Sequence, residues 1–273
     1  MFKALNYFLC LIAVFALASC SKYQQLLKSS NYDEKYAAAI KYYEKKDYYR
    51  SLQLLEEMIV IFRGTTRGEN VYYYYAQSHY GLQDYISAAY HFENFVKTFP
   101  VSKHAEECAY LSAYCSYLDS PVYSLDQQNS EQAIEQFQLF INHYPQSDKV
   151  ETCNKLMDVL RAKIETKAFN NAKTFYYSDD YKASASALNN LIRDYPGTAY
   201  KEEAMYLILK SYYLYARKSI DTKKPERYKS VTEAHTALLE AFPESKYLKQ
   251  ANSIEADAKR ESESLTKSAN ATN

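Results

Sequence analysis

Apolar residues recur along this chain at helical spacing. Ala88, Phe92, Phe95 and Val96 in one stretch, and Ala133, Phe137, Phe140 and Ile141 in another, are separated by 3, 4, 7 and 8 positions, the signature of a stripe down one face of a helix. Each stretch closes on an aromatic and a proline: Phe99-Pro100, Tyr144-Pro145, Tyr195-Pro196 and Phe242-Pro243, with a degraded copy at Phe62-Arg63. Fourteen residues ahead of these aromatics stand Tyr48, Tyr85, Ser130, Tyr181 and Tyr228. Fourteen residues is close to four turns, so the opening and closing positions share one helix face. Asp47, Asp84 and Asp180 precede three of the tyrosines and can accept from the unpaired N–H groups of a first helical turn. Proline ends each helix, having no N–H to donate and forcing its predecessor out of helical geometry. Ser102, Ser147, Thr198 and Ser245 are then placed to begin the next one. The pattern predicts helix after helix, an all-α fold.

The closing aromatics lie 37, 45, 51 and 47 residues apart, so the pattern is an internal repeat. Ala88, Phe92 and Pro100, and again Ala133, Phe137 and Pro145, fall at the small, aromatic and proline offsets of the tetratricopeptide repeat, which the unit resembles. Arg63 in place of proline and His235 in place of an aromatic are departures from it. The resemblance implies an α-solenoid of about five helix pairs over residues 33–252, because no single pair can bury its own apolar face. A capping helix follows, running to about Leu265 before a polar tail within 253–273. The excess length per repeat predicts a polar loop from Asp119 to Asn129, a first helix extended from about Asp148 to Tyr177, and a loop from Ile220 to Glu226.

The first residues follow a different rule. Lys3 precedes an unbroken apolar run from Phe8 to Ala18, too short for a hydrocarbon core that needs about 20 residues, and so reads as the apolar part of a signal peptide over 1–19. Ala18-Ser19-Cys20 resembles a bacterial lipobox, which implies a lipid on Cys20 and a flexible tether over 20–32. Ser21 in place of an inner-membrane retention Asp implies the outer membrane, and the lack of acids in Ser21–Gln25 its periplasmic face.

Composition narrows the chemistry. The 33 Lys and Arg balance 33 Asp and Glu, leaving no net field for nucleic acid. Four glycines make a phosphate-binding loop implausible, and the five histidines form no HExxH motif. No catalytic or metal constellation emerges, so the expectation is no enzyme and no cofactor. Cys108 and Cys115 sit two helical turns apart, roughly 10 Å at 1.5 Å per residue, too far to bridge; with Cys153 they read as small packing residues. The abundant residue is tyrosine, 31 of 273 with no Trp. In the repeat the first helix of each pair lines the concave face, which places Tyr36, Tyr43, Asn70, Tyr73, Tyr74, Gln77, Tyr110, Tyr114 and Tyr117 there or nearby. Tyrosine gives rigid contact area with a polar tip, suited to gripping an extended peptide. Part of the run Val71–Tyr75 also suits plain core packing.

Lipobox, five repeats, the inserted third-repeat loop and the segment Leu191-Ile192-Arg193-Asp194-Tyr195-Pro196 together resemble the BamD family, outer-membrane lipoproteins of the β-barrel assembly machinery. The resemblance covers nearly the whole chain. It implies a scaffold whose C-terminal repeats, about Asp148–Leu265, dock on periplasmic domains of a BamA-like insertase beside other lipoproteins of the complex. Its N-terminal groove would receive the aromatic-ending C-terminal strand of unfolded barrel substrates. Two other classes stay open: a tetratricopeptide lipoprotein of the Tol-Pal or division systems, and a glycan-binding lipoprotein of a nutrient importer. The first commonly carries an N-terminal coiled coil, and no sustained heptad precedes Asp33; the second needs a longer insertion than the loops of about ten residues found here.

Overall fold

The computed structural model describes the backbone over residues 22–271 and side chains over 22–265. The signal sequence and Cys20 lie outside the described residues. A helix over 22–28 (α1) is followed by α2 (Tyr32–Glu44), α3 (Tyr48–Ile61), α4 (Thr66–Gly81), α5 (Tyr85–Thr98), α6 (Ala105–Leu118) and α7 (Gln128–His143). Then come α8 (Val150–Tyr177), α9 (Tyr181–Asp194), α10 (Lys201–Arg217), a short 3₁₀ turn (Asp221–Lys223), α11 (Lys224–Ala241) and α12 (Leu248–Ala271). The fold is all-α and built of tetratricopeptide-like pairs. No strand occurs among the described residues.

Two recurring turns make the pairs. Within a pair, Lys46, Gln83 and Asp179 take left-handed backbone at φ 60°, 61° and 63°, and the next N–H reaches back to the carbonyl of Tyr42, His79 or Phe175. The aspartate that follows caps the second helix: Asp47, Asp84 and Asp180 accept from the N–H of Arg50, Ser87 and Ala183 at 3.3, 3.3 and 3.1 Å. Between pairs, the N–H of Ser102, Ser147, Thr198 and Ser245 donates to the carbonyl of Phe99, Tyr144, Tyr195 and Phe242 at 3.0–3.1 Å. Their hydroxyls then accept from the N–H two residues on, at His104, Lys149, Tyr200 and Tyr247. These hydroxyls therefore lock the turn after the proline and do not cap the next helix. His104 and Tyr200, which stand at the caps of α6 and α10, make no side-chain cap bond.

Burial follows the repeat register. Three residues after each opening position come Ser51, Ala88, Ala133, Ser184 and Val231, all fully buried. Small side chains here let two helices approach, and the buried hydroxyls of Ser78 and Ser211 meet Ser51 and Ser184, each at 3.4 Å. Ten residues after it, Met58, Phe95, Phe140, Leu191 and Leu238 are core as well. Seven residues after it, Leu55, Phe92, Phe137 and Leu188 are fully buried, and His235 is the exception anticipated from the sequence: its Nε2 lies 2.8 Å from Asn252 Oδ1 on an exposed face.

The described chain divides into two compact units, one containing residues through Pro121 with Asp126–Leu160, the other Val122–Leu125 with 161 onward. In the first, the apolar cores gather around Leu54 and Met58, around Phe92 and Phe95, and around Phe137 and Phe140. In the second they gather around Leu188 and Leu191 and around Val231 and Leu238. The Lys167 ammonium donates to the Leu125 carbonyl at 2.8 Å, which ties the loop residues Val122–Leu125 into the second unit.

Four local expectations change. Residues 22–28 are helical and not a flexible tether, because Tyr23 has a core to enter. The third-repeat loop is shorter by two residues, since α7 already begins at Gln128. Lys224-Pro225-Glu226 form the first turn of α11, where a proline lacking N–H costs nothing. The last helix continues past Leu265 to Ala271, with no Gly or Pro after Pro243 to stop it. Cys108, Cys115 and Cys153 are free and buried; burial raises all three thiols, Cys115 to about 12 and Cys153 to about 11.

Candidate functional site: a tyrosine face on the first helix pairs

The helices α2, α4 and α6 are the first members of three successive pairs, and they carry the residues singled out from the sequence. Along α4, positions 70, 73, 74 and 77 are separated by three or four, so they share a face. On α6 the same holds for 110, 114 and 117.

The structure joins most of them. Tyr74 lies between two other rings, 5.1 Å from Tyr43 and 5.3 Å from Tyr73, in edge-on contacts. Tyr36 lies beneath the guanidinium of Arg67 at 5.6 Å, and that arginine is held by Asp33 at 2.6 Å and the Tyr32 carbonyl at 2.9 Å. Tyr73 stacks on His104 at 3.9 Å and donates to Glu107 Oε2 at 3.0 Å. Gln77, only 7% exposed, donates to the Tyr73 hydroxyl at 3.1 Å and to Glu107 Oε1 at 3.3 Å. On α6, Tyr114 stacks between Tyr110 at 5.7 Å and Tyr117 at 5.9 Å, with planes 11° and 13° apart. Tyr110 also packs on Phe140, so its ring belongs to the core as well as the face. Asn70 is half-buried on the same face of α4 but forms no hydrogen bond with the cluster.

Burial keeps the Tyr43, Tyr73 and Tyr110 hydroxyls protonated. Burial raises Tyr43 and Tyr110 to about 12, and burial together with the neighbouring Glu107 carboxylate pushes Tyr73 higher still. The face therefore offers phenol O–H donors over a wide pH range beside one carboxylate. Phenol O–H groups of this kind can donate hydrogen bonds to acceptors on an apposed surface while their rings supply contact area. Among the described residues no group of three or more His, Cys, Asp or Glu could hold a metal ion, and no helix is long and apolar enough to cross a membrane.

Glu107 and His104 join this face without having been singled out by helical spacing. A signal was present: Asn70 stands eight residues after Phe62 and Glu107 eight after Phe99, so Glu107 occupies in the next repeat the position that Asn70 holds. Cys20, the lipidation candidate, lies outside the described residues.

Comparison with known proteins gives two findings. The model of the family described as YfiO, outer membrane lipoprotein, matches residues 28–226. The outer membrane protein assembly factor BamD of Pasteurella multocida (strain Pm70) is 20% identical over 212 residues, covering 74% of this chain and 81% of the relative.

Proposed function

The chain belongs to the YfiO family of outer membrane lipoproteins, and from that premise we propose that it is the BamD-type scaffold of a β-barrel assembly complex. It is a scaffold lipoprotein and not an enzyme. Its task is to hold an insertase and unfolded barrel chains together at the periplasmic face of the outer membrane, anchored by a lipid on Cys20 after removal of residues 1–19. The observation that carries the reading is the family match over residues 28–226, which includes the whole tyrosine face. The likeness to an assembly factor named BamD supports the same assignment.

In this reading the first three pairs take the substrate. An unfolded barrel strand ending in an aromatic residue presents one apolar ring and a run of unpaired backbone groups. Tyr43, Tyr73, Tyr74, Tyr110, Tyr114 and Tyr117 offer rings to the first and hydroxyls to the second, with Tyr36, Asn70 and Gln77 at the margins. The last two pairs serve the insertase.

Affinity purification of the detergent-solubilised protein from its own cells tests the assignment. A stoichiometric barrel protein bearing periplasmic repeat domains is the expected companion. Recovery of Tol-Pal components, or of a nutrient-import barrel, overturns the assignment while leaving the fold intact.

A further inference from the structure

The helix over 22–28 is fastened to the first helix pair at both ends. Near its start, Tyr23 is only 6% exposed. Its hydroxyl donates to Gln53 Oε1 at 2.6 Å, its ring meets Tyr42 edge-on at 5.7 Å, and the Arg50 guanidinium lies 5.4 Å from its centre. Near its end, the Leu27 carbonyl accepts from the Lys35 ammonium at 3.1 Å. Lys35 is 2% exposed and pairs with Glu57 at 2.6 Å.

This docking shortens the reach between the first pair and Cys20. Were residues 20–31 free, they would span up to roughly 40 Å. With Tyr23 seated, its backbone stands no more than about 11 Å, three Cα steps, from that of Cys20. The headgroup layer on each side of a bilayer is about 5–7 Å deep. A lipid on Cys20 would hold its backbone in or at that layer, which keeps Tyr23 and the residues adjoining it close to the headgroups.

What adjoins Tyr23 suits that place. Gln53, which accepts from Tyr23, donates through its amide to the Tyr49 hydroxyl at 3.0 Å, and Tyr49 is 60% exposed. Lys22 and Lys28 on α1, and Lys45 and Lys46 in the turn before the Asp47 cap, are exposed and form no ion pair among the described residues. The helix over 22–28 carries no acidic residue, Asp47 is engaged by Arg50 at 2.9 Å, and the exposed Glu44 beside Lys45 leaves the four lysines in excess. Tyrosines and lysines with apolar stems are the side chains that settle at the headgroup level.

We propose that the surface formed by helix 22–28 and the adjoining Lys45–Lys46 turn and Tyr49 rests on the phosphate headgroups of the membrane that holds Cys20. The proposal depends on the lipid-anchor reading of Cys20 and adds a fixed orientation to it: the first repeat is laid on the bilayer and does not swing from a leash.

The chain has no Trp, so a single introduced one reports its own position. Tyr49→Trp is compared with Val101→Trp, at a site 97% exposed beyond the far end of α5, the helix that corresponds to α3 in the next repeat. The full-length acylated protein is reconstituted in phosphatidylethanolamine–phosphatidylglycerol vesicles with brominated acyl chains. At least two-fold quenching and a blue shift are expected for Tyr49→Trp, with neither for Val101→Trp. Adding Lys22→Glu and Lys28→Glu, or Tyr23→Ala, should return the first reporter toward the second. Equal iodide accessibility and no lipid quenching at both sites, in protein whose acylation is verified by mass spectrometry, overturns the proposal. An unmodified Cys20 in that spectrum instead overturns the anchor reading beneath it.

Discussion

The Tyr73 hydroxyl donates to Glu107 Oε2 at 3.0 Å and ties α4 to α6 across 34 positions of sequence. Gln77 bonds to both partners, so three polar side chains form one closed set beneath the tyrosine face. Removing Glu107 leaves the buried Gln77 amide with a single partner. Glu107→Ala is expected to cost about 1 kcal/mol in urea unfolding, and a cycle with Tyr73→Phe to show a coupling of about 0.5–1.5 kcal/mol. Additive effects of the two substitutions would show that the hydroxyl–carboxylate bond contributes nothing in solution.

The fold was legible in the sequence because its determinants are local and recur. The Asp47, Asp84 and Asp180 caps, the aromatic–proline closures and the small residues at Ala88 and Ala133 each act within a few residues of where they stand. The candidate face was legible only in part. Helical spacing put Tyr73 and Gln77 side by side, but their bond to Glu107 joins different helices, and spacing within one helix carries no trace of it. Tyr23 was missed for a related reason. Its segment lacks apolar periodicity, and its burial comes from Tyr42, Arg50 and Gln53, 19 to 30 residues ahead of it.

The repeat register makes a quantitative claim about Phe92 and Phe137. Both are fully buried, seven residues after the opening positions Tyr85 and Ser130. Replacement by Ala deletes a ring from a core that cannot collapse around the space, at a cost of about 3–5 kcal/mol. Thermal melts followed by far-ultraviolet circular dichroism check this. An unchanged midpoint for either variant would contradict the register.

The turn inside the second pair holds a correctable strain. Gln83 is exposed and has φ of 61°, a left-handed conformation that costs an L-residue roughly 1–2 kcal/mol and glycine nothing. Part of that gain is lost to the greater freedom of glycine in the unfolded chain. Gln83→Gly is therefore expected to stabilise by about 0.5–1 kcal/mol, read as a higher urea midpoint at unchanged slope. A lower midpoint would mean that the Gln side chain makes a contribution its exposed position does not explain.

Acid sensitivity should centre on His91. Its ring stacks on His79 at 5.0 Å and meets Tyr75 edge-on at 4.8 Å, with Tyr72 and Tyr90 also alongside. Its Nδ1 lies 3.4 Å from the Tyr72 hydroxyl. Burial, reinforced by His79 and only partly opposed by Asp84, lowers its pKa from 6.5 to about 4. The folded protein thus keeps His91 neutral where the unfolded chain would already bind a proton. The stability attached to this neutral ring is complete above about pH 6.5 and drains away as the pH falls toward 4, because unfolding then takes up a proton. Melting temperatures measured between pH 7 and 5 should decline more steeply for the native sequence than for His91→Gln, which has nothing to protonate at that position. Parallel declines would show that residue 91 titrates alike in the folded and unfolded chains, and would place the acid sensitivity elsewhere in the fold.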